Sequence, residues 1–337
     1  MRTADFSYEL PEQAIAQTPV EPRDSSRLLR ATDLSDHRFH DLPRLLDPGD
    51  LVVLNDTRVR AARLHGHRRP GGGAVELLLL ERRPDDTWDA LARPARKLRP
   101  GTRIELDGLN AEIMTEPNDG VVQVAFAEVG DIEKAIEQVG EMPLPPYITT
   151  RLDRPGRYQT IYARATGSAA APTAGLHFTD RVFAGLAERG IGVTRIELRV
   201  GLGTFRPITT EHVEDHVMHH ETFAMDTEAI EAILRARASG GAVVAIGTTT
   251  VRALEAAWQD GEPAAGEATT DLFITPGFEF RVVDRLVTNF HLPGSTLICM
   301  VSAFMGEAWR DSYRTALERG YRFLSFGDAM LADRRNS

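Results

Sequence analysis

The sequence predicts an α/β protein whose body is interrupted by a small antiparallel β-barrel. Three observations carry that expectation. Short apolar runs with evenly spaced turn signals fill residues 75–127, a pattern typical of small barrels. After residue 176, strand-like and helix-like runs alternate, as they do around an α/β sheet. Between the two regions, MPLPPYI (142–148) has prolines at 143, 145 and 146, which forbids regular helix and marks a linker. The expected organisation is a discontinuous α/β catalytic domain (1–61 and 146–337) around an inserted, basic barrel domain (62–145).

The elements follow in order. LVVLN (51–55) reads as a buried strand, and its polar flank Asn55-Asp56-Thr57-Arg58 sits where functional groups collect. Barrel strands are expected at 75–80, 87–92, 103–106, 111–115 and 121–127. A short helix from Asp131 ends at Gly140. Past the linker, Thr179 can cap a helix running to Glu188, with Gly190 as its stop. Strands are then expected at 191–200, 242–247 and 285–290, and helices at 227–238, 251–258, 296–305 and 307–320.

Composition narrows the class. The chain has 337 residues, 42% hydrophobic and 26% charged, which fits a soluble two-domain protein. No apolar run reaches the roughly 18 residues that span a bilayer. The polar, acidic N-terminus is unlike a secretory signal. The single cysteine, Cys299, excludes an intramolecular disulfide. A cytoplasmic protein without membrane contact is expected, with a monomer as the simplest state. The net charge of −10 argues against a wholesale polyanion binder. Yet Arg58–Arg103 holds eleven Arg and one Lys against five acids. These basic clusters, including Arg68, Arg69, Arg96, Lys97 and Arg99, read as a solvated face or as a phosphate-contacting module.

Three strand-to-helix junctions share one chemistry. They are Pro172-Thr173-Ala174-Gly175-Leu176-His177, Gly247-Thr248-Thr249-Thr250-Val251-Arg252 and Asn289-Phe290-His291-Leu292-Pro293-Gly294-Ser295-Thr296. Each offers hydroxyls and free N–H groups where a helix begins, which suits helix capping or an anionic ligand. Arg199-Val-Gly201-Leu-Gly203-Thr204-Phe-Arg206 lacks the third glycine of a dinucleotide fingerprint, but its glycines allow close backbone approach to a flat ligand. His212-Val-Glu-Asp215-His216-Val-Met-His219-His220-Glu221 lacks HExxH, so acid–base work by a His–carboxylate pair is preferred to metal binding, and no metal is expected. No phosphate loop, GxSxG elbow or cysteine-rich zinc pattern occurs, and no tightly bound cofactor is expected.

Taken together, AAPTAGLHF, VGLGTFRP, EDHVMHHE, IGTTTVRALE, VTNFHLPGSTL, GDLVVLNDTRVRAARL, DFSYELPEQAIAQTP and MPLPPYI resemble the S-adenosylmethionine:tRNA ribosyltransferase-isomerase family of queuosine biosynthesis. The resemblance runs from Asp5 to about Met330. Two departures are Arg60-Ala61, where relatives often have Ile-Pro, and His220, where a small polar residue is common. The resemblance implies transfer of the ribosyl part of S-adenosylmethionine to 7-aminomethyl-7-deazaguanine at the tRNA wobble position. Epoxyqueuosine-tRNA, adenine and methionine result, and S-adenosylmethionine is a consumed substrate. His177 and His219 become the acid–base candidates, with Glu221 or Asp215 orienting His219. Arg252 with Thr248, Thr249 and Thr250 would hold the methionine carboxylate or a tRNA phosphate. Asn55, Asp56, Thr57 and Arg58 would line the same pocket, Pro172, Thr173 and Gly175 would wall it, and Asn289 and His291 would close it. Arg199, Gly201, Gly203 and Thr204 would bind substrate, and the basic insert would contact the anticodon arm. An S-adenosylmethionine-dependent RNA methyltransferase and a non-catalytic RNA-binding protein are the alternatives. The first should carry a glycine fingerprint after LVVLN; the second has no need of polar helix starts.

Overall fold

A computed structural model describes residues 1–127, 130–199, 207–218, 220–259 and 261–335. Strands β1 (Arg27–Arg30), β2 (Ser35–Arg38), β3 (Leu51–Asn55) and β4 (Thr57–Val59) come first. The barrel strands are β5 (Arg63–Arg69), β6 (Ala74–Arg82), β7 (Trp88–Arg93), β8 (Arg103–Leu106), β9 (Leu109–Ile113) and β10 (Val121–Phe126). Next are β11 (Ala165–Ser168), β12 (Gly192–Arg199), β13 (Glu221–Met225) and β14 (Val243–Ile246). The last are β15 (Trp258–Gln259), β16 (Glu262–Pro263), β17 (Gly266–Thr270), β18 (Arg285–Asn289) and β19 (Ala329–Asp333). The helices are α1 (Leu42–Leu45), α2 (Ile132–Val139), α3 (Asp180–Glu188), α4 (Thr227–Ala238), α5 (Thr248–Ala256), α6 (Thr296–Met305) and α7 (Ala308–Glu318).

The chain divides into two compact units: residues 1–57, 145–165 and 171–337, and residues 58–144 with 166–170. The first is built on a nine-stranded mixed sheet ordered β17-β13-β12-β3-β14-β18-β19-β1-β2. Its central strands read as continuous apolar runs because both faces are covered. Val52, Leu54, Val244, Ile246 and Val287 pack with Val182 and Leu186 of α3, while α4 and α5 cover β3, β12 and β14. The second unit is a closed six-stranded antiparallel barrel, β10-β7-β6-β5-β8-β9. The α/β class and the barrel both agree with the expectation.

Four differences have physical causes. β5 lies in the segment that read only as a basic cluster. Its alternation puts Leu64 and Gly66 inside and His65, His67 and Arg69 outside, so charge masked a period-two pattern. β13 begins at Glu221, inside the segment read for its histidines. α5 starts at Thr248 rather than Val251, because Gly247 at φ 90° makes the turn. Thr179 occupies the N-cap position of α3, yet its hydroxyl donates to Asp24 Oδ2 at 2.6 Å instead of capping.

The barrel is not basic as a whole, which corrects the expectation. Residues 58–144 hold 13 basic and 15 acidic side chains, because the excess in 58–103 is reversed by ten acids beyond it. Several of the arginines are spent on those acids: Arg60 on Glu133, Arg69 on Glu105, Arg99 on Glu116 and Arg103 on Glu112.

Candidate active site

Topology brings the polar junctions of the α/β unit to one edge of the sheet. β3, β12, β14 and β18 run parallel, so all four end on the same side. β19 is antiparallel to β18 and parallel to β1, so both begin there, with Asn289 opposite Ala329 and Leu28 opposite Ala329. That edge therefore collects Asn55, Gly247, Asn289, Ser26 and Asp328. The short 3-10 turn Thr173–His177 contacts β18 along this edge. It also approaches the α5 start: a Cβ built on Gly247 would lie 3.6 Å from the Ala174 Cβ. Gly175 is required by close approach, because a Cβ there would collide with the Tyr162 hydroxyl.

His177 is fully enclosed. Phe39 stacks on its ring at 4.8 Å, and Ser26 Oγ lies 2.6 Å from Nδ1. Asn289 Nδ2 donates to Nε2 at 3.1 Å and to the Asp328 carbonyl at 3.2 Å. The second bond fixes the amide orientation, so Nε2 accepts and Nδ1 carries the proton toward Ser26. Burial, aided by the charges of Arg23 and Arg322, drives the imidazole pKa well below its usual value. His177 is thus a neutral ring with both nitrogens engaged, which fits a positioning group better than a proton carrier.

His291 is also buried; Thr288 Oγ1 lies 2.8 Å from its Nε2, and burial lowers its pKa to about 3. The two rings set a pH response. The unfolded chain binds protons that the folded rings refuse, so their stabilisation is complete above about pH 6.5 and is lost below it. At pH 5 His291 should cost about 2 kcal/mol relative to neutral pH, and His177 acts in the same direction. Thermal unfolding should show a lower Tm at pH 5 than at pH 7.5, and His291→Gln should reduce that difference. A Tm independent of pH over this window would contradict the buried neutral assignment.

The flank of β3 is divided between structural and open groups. Asn55 is spent as a clamp: Nδ2 donates to the Leu198 carbonyl at 3.0 Å, and Oδ1 accepts from Leu198 N and from Thr57 N and Oγ1. Thr57 is buried in the same clamp, which corrects the expectation that both line a pocket. Asp56 between them differs. Its backbone bonds to Ile196 and Arg164, but its carboxylate has no hydrogen bond among the described residues. Burial raises its pKa, opposed by Arg164 and Arg195. Arg58 belongs to the second unit, where it pairs with Glu137 at 3.0 Å.

At the α5 start, Thr250 Oγ1 returns a bond to the Ile246 carbonyl at 2.7 Å. The hydroxyls of Thr248 and Thr249 make no such bond among the described residues, and no side chain caps the helix. Arg252 is already engaged at two of its three nitrogens. Nη1 meets Glu221 Oε2 at 2.5 Å and Nε meets the Leu272 carbonyl at 3.2 Å, with both charged residues buried. Glu221 thus pairs with Arg252 in the interior of the α/β unit. Asp215 is exposed. Arg199 pairs with Glu197 at 2.6 Å and Glu267 at 3.4 Å. His219, Gly201, Gly203 and Thr204 lie outside the described residues. Pro172 and Thr173 open the turn that carries His177.

In the barrel, Arg68 lies against Gly73 and donates to the Lys97 carbonyl at 3.4 Å. Arg69 and Arg99 carry the ion pairs already described. Arg96 and Lys97 are exposed, with no ion pair among the described residues.

Sequence reasoning passed over a group beside the Thr173–His177 turn. Arg23 Nη1 and Nη2, Arg157 Nη2, and the hydroxyls of Thr160 and Tyr162 are buried without hydrogen-bond partners among the described residues. These residues sit in irregular segments where no periodicity flags them; a Pro-Arg-Asp-Ser turn was the only local cue.

The chain is similar to known proteins over nearly its whole length. Residues 3–332 match the model of the family described as "Queuosine biosynthesis protein". An S-adenosylmethionine:tRNA ribosyltransferase-isomerase of Heliobacterium modesticaldum is 52% identical over 342 residues, covering 98% of this chain and 99% of the relative. The protein of the same name from Symbiobacterium thermophilum is 52% identical over 339 residues, with the same coverage. The crystal structure of S-adenosylmethionine tRNA ribosyltransferase from Thermotoga maritima matches with a TM-score of 0.55 at 36% identity, covering 97% of this chain and 99% of that one.

Proposed function

The chain belongs to the queuosine biosynthesis protein family, and on that premise we propose that its α/β unit binds S-adenosylmethionine at the edge where β3, β14 and β18 end. The enzyme is a transferase and isomerase of tRNA modification, with S-adenosylmethionine and tRNA as substrates. It places the ribosyl group of S-adenosylmethionine on 7-aminomethyl-7-deazaguanine at the wobble position, giving epoxyqueuosine with release of adenine and methionine. The full-length match to ribosyltransferase-isomerases carries this reading. The decisive assay mixes enzyme, S-adenosylmethionine and tRNA bearing the aminomethyl base. Adenine and methionine are the expected products; S-adenosylhomocysteine would instead indicate methyl transfer.

The reaction sets requirements that the residues can meet. The C5′ proton beside the sulfonium is acidic enough for a carboxylate or imidazole to remove. Adenine leaves more readily once a ring nitrogen is protonated, and the attacking amine must be neutral. We assign proton removal to Asp56, whose carboxylate is half-buried and raised in pKa by that burial, with Arg164 and Arg195 opposing. His177 acts as a positioning group, holding Asn289 and the 172–177 turn against the sheet. His219 stays the second proton-transfer candidate on the sequence alone. The N–H groups of α5 with Thr248 and Thr249 offer donors to an oxyanion or ribose hydroxyl. A cytoplasmic monomer without a tightly held cofactor completes the proposal. No helix among the described residues is long and apolar enough to cross a membrane.

Of the five expected tRNA contacts, the proposed footprint narrows to Arg96 and Lys97, which are exposed with no ion pair among the described residues. The double variant Arg96→Ala, Lys97→Ala should weaken tRNA binding and flatten log Kd against log salt by roughly 0.7–0.9 per lost phosphate contact. An unchanged slope would remove these residues from the interface.

A further inference from the structure

We propose that Arg23, flanked by Arg157 and Arg322, binds the carboxylate of the methionyl part of S-adenosylmethionine. The inference rests on the reaction assigned above. Arg23 is 7% exposed, and its Nε donates to the Leu176 carbonyl at 3.2 Å, one residue from His177. Its two terminal nitrogens are buried with no partner, and so is Arg157 Nη2. A desolvated guanidinium fork with nothing to donate to is costly, and folds retain one where a ligand completes it.

The neighbouring charges do not complete it. Glu21 pairs with Arg154 and Arg157. Asp328 accepts the backbone N–H groups of Arg27 and Arg322, each at 2.8 Å. Arg322 spends Nη1 on the Thr18 carbonyl at 3.0 Å and Nη2 on the Phe326 carbonyl at 3.1 Å. Burial, with the charges of Arg322 and Arg157, lowers the Arg23 pKa to about 9 against the opposing pull of Asp328 and Glu21.

The geometry selects the kind of anion. A planar fork with two adjacent N–H edges matches a carboxylate bidentately. Nitrogens sealed from solvent suit a small group at the end of a flexible chain, whereas a backbone phosphate of folded tRNA arrives on a bulky strand. Arg252 offers one spare terminal nitrogen rather than two, since Glu221 takes Nη1 and the Leu272 carbonyl takes Nε.

The test compares S-adenosylmethionine with its decarboxylated analogue, which keeps the sulfonium, ribose and adenine. Binding to the full-length protein is measured by calorimetry, with tRNA lacking the aminomethyl group present so that no turnover is needed. The wild type should prefer S-adenosylmethionine by about 10²-fold, the scale of a charged buried hydrogen-bond pair. Arg23→Gln should abolish that preference while leaving affinity for the analogue within about twofold. A variant that still discriminates overturns the proposal, as does a loss confined to tRNA affinity and its salt slope. If Arg23→Gln does not fold, Arg157→Gln is measured the same way, and undiminished discrimination there is equally decisive. Because binding is read without turnover, failure of the ribosyl-transfer assay and failure of this site are separate results.

Discussion

Asp56→Asn is expected to lower turnover by about 10²–10⁴ while leaving the melting temperature close to wild type. Asp56 follows the last residue of β3, and its backbone is tied to Ile196 at 3.0 Å and Arg164 at 2.8 Å, so the side chain is aimed by strands rather than by a mobile loop. Its neighbours Asn55 and Thr57 spend their polar atoms on β12, which holds the segment still. Burial raises the Asp56 pKa, with Arg164 and Arg195 opposing. A raised carboxylate pKa makes a stronger base, and it is competent only when ionised. Activity should therefore fall as pH drops through that raised value, above the ordinary aspartate range, and the acid limb should vanish in the residual activity of Asp56→Asn. His177→Asn provides the contrast. It should lower the Tm and loosen the 172–177 turn, without removing the acid limb. Near-wild-type turnover in Asp56→Asn would return the proton transfer to a histidine.

Glu221→Ala is expected to have the largest effect on stability, about 3–5 kcal/mol, because it strands the buried Arg252 guanidinium. Glu221 and Arg252 are buried with an N–O distance of 2.5 Å, and Arg252 Nη2 is already without a partner. The pair joins β13 to α5, the helix whose first turn is placed at the proposed site. A Tm loss of roughly 5–10 °C should accompany the single replacement. The double replacement Glu221→Met, Arg252→Met should recover much of it, since two apolar side chains leave no buried charge behind. If the double variant is as unstable as the single one, the charge pair is not the source of the loss. Loss of substrate affinity in a fully stable Arg252→Met would restore Arg252 as a ligand-binding group.

Part of the fold was legible because it depends on local repetition. β6 to β10 alternate buried and exposed positions between turn signals, and α4 and α6 carry their own caps in Asp226 and Ser295. β1, β2 and β19 were missed. They are strands of four or five residues, too short to show a clear period; β1 and β2 form a local hairpin, and β1 lines up with β19 only after some 300 intervening residues. β5 was hidden by its own arginines, and the charge of the barrel was misjudged because the window stopped at Arg103.

The sequence by itself determined the α/β class, the barrel and the family resemblance, and it picked out the 172–177, 247–250 and 289–291 segments as polar junctions. Those are properties of composition, periodicity and phrase, which survive in one dimension. Only the tertiary structure decided how each polar atom is used. It spent Asn55 on Leu198, Arg252 on Glu221, and both nitrogens of His177 on Ser26 and Asn289. It raised the Asp56 pKa by burial and left the Arg23 fork without partners among the described residues. The reason is physical: a side chain's pKa and spare hydrogen bonds are set by its neighbours within a few ångströms. For these residues the hydrogen-bond partners stand up to 153 positions away in the chain.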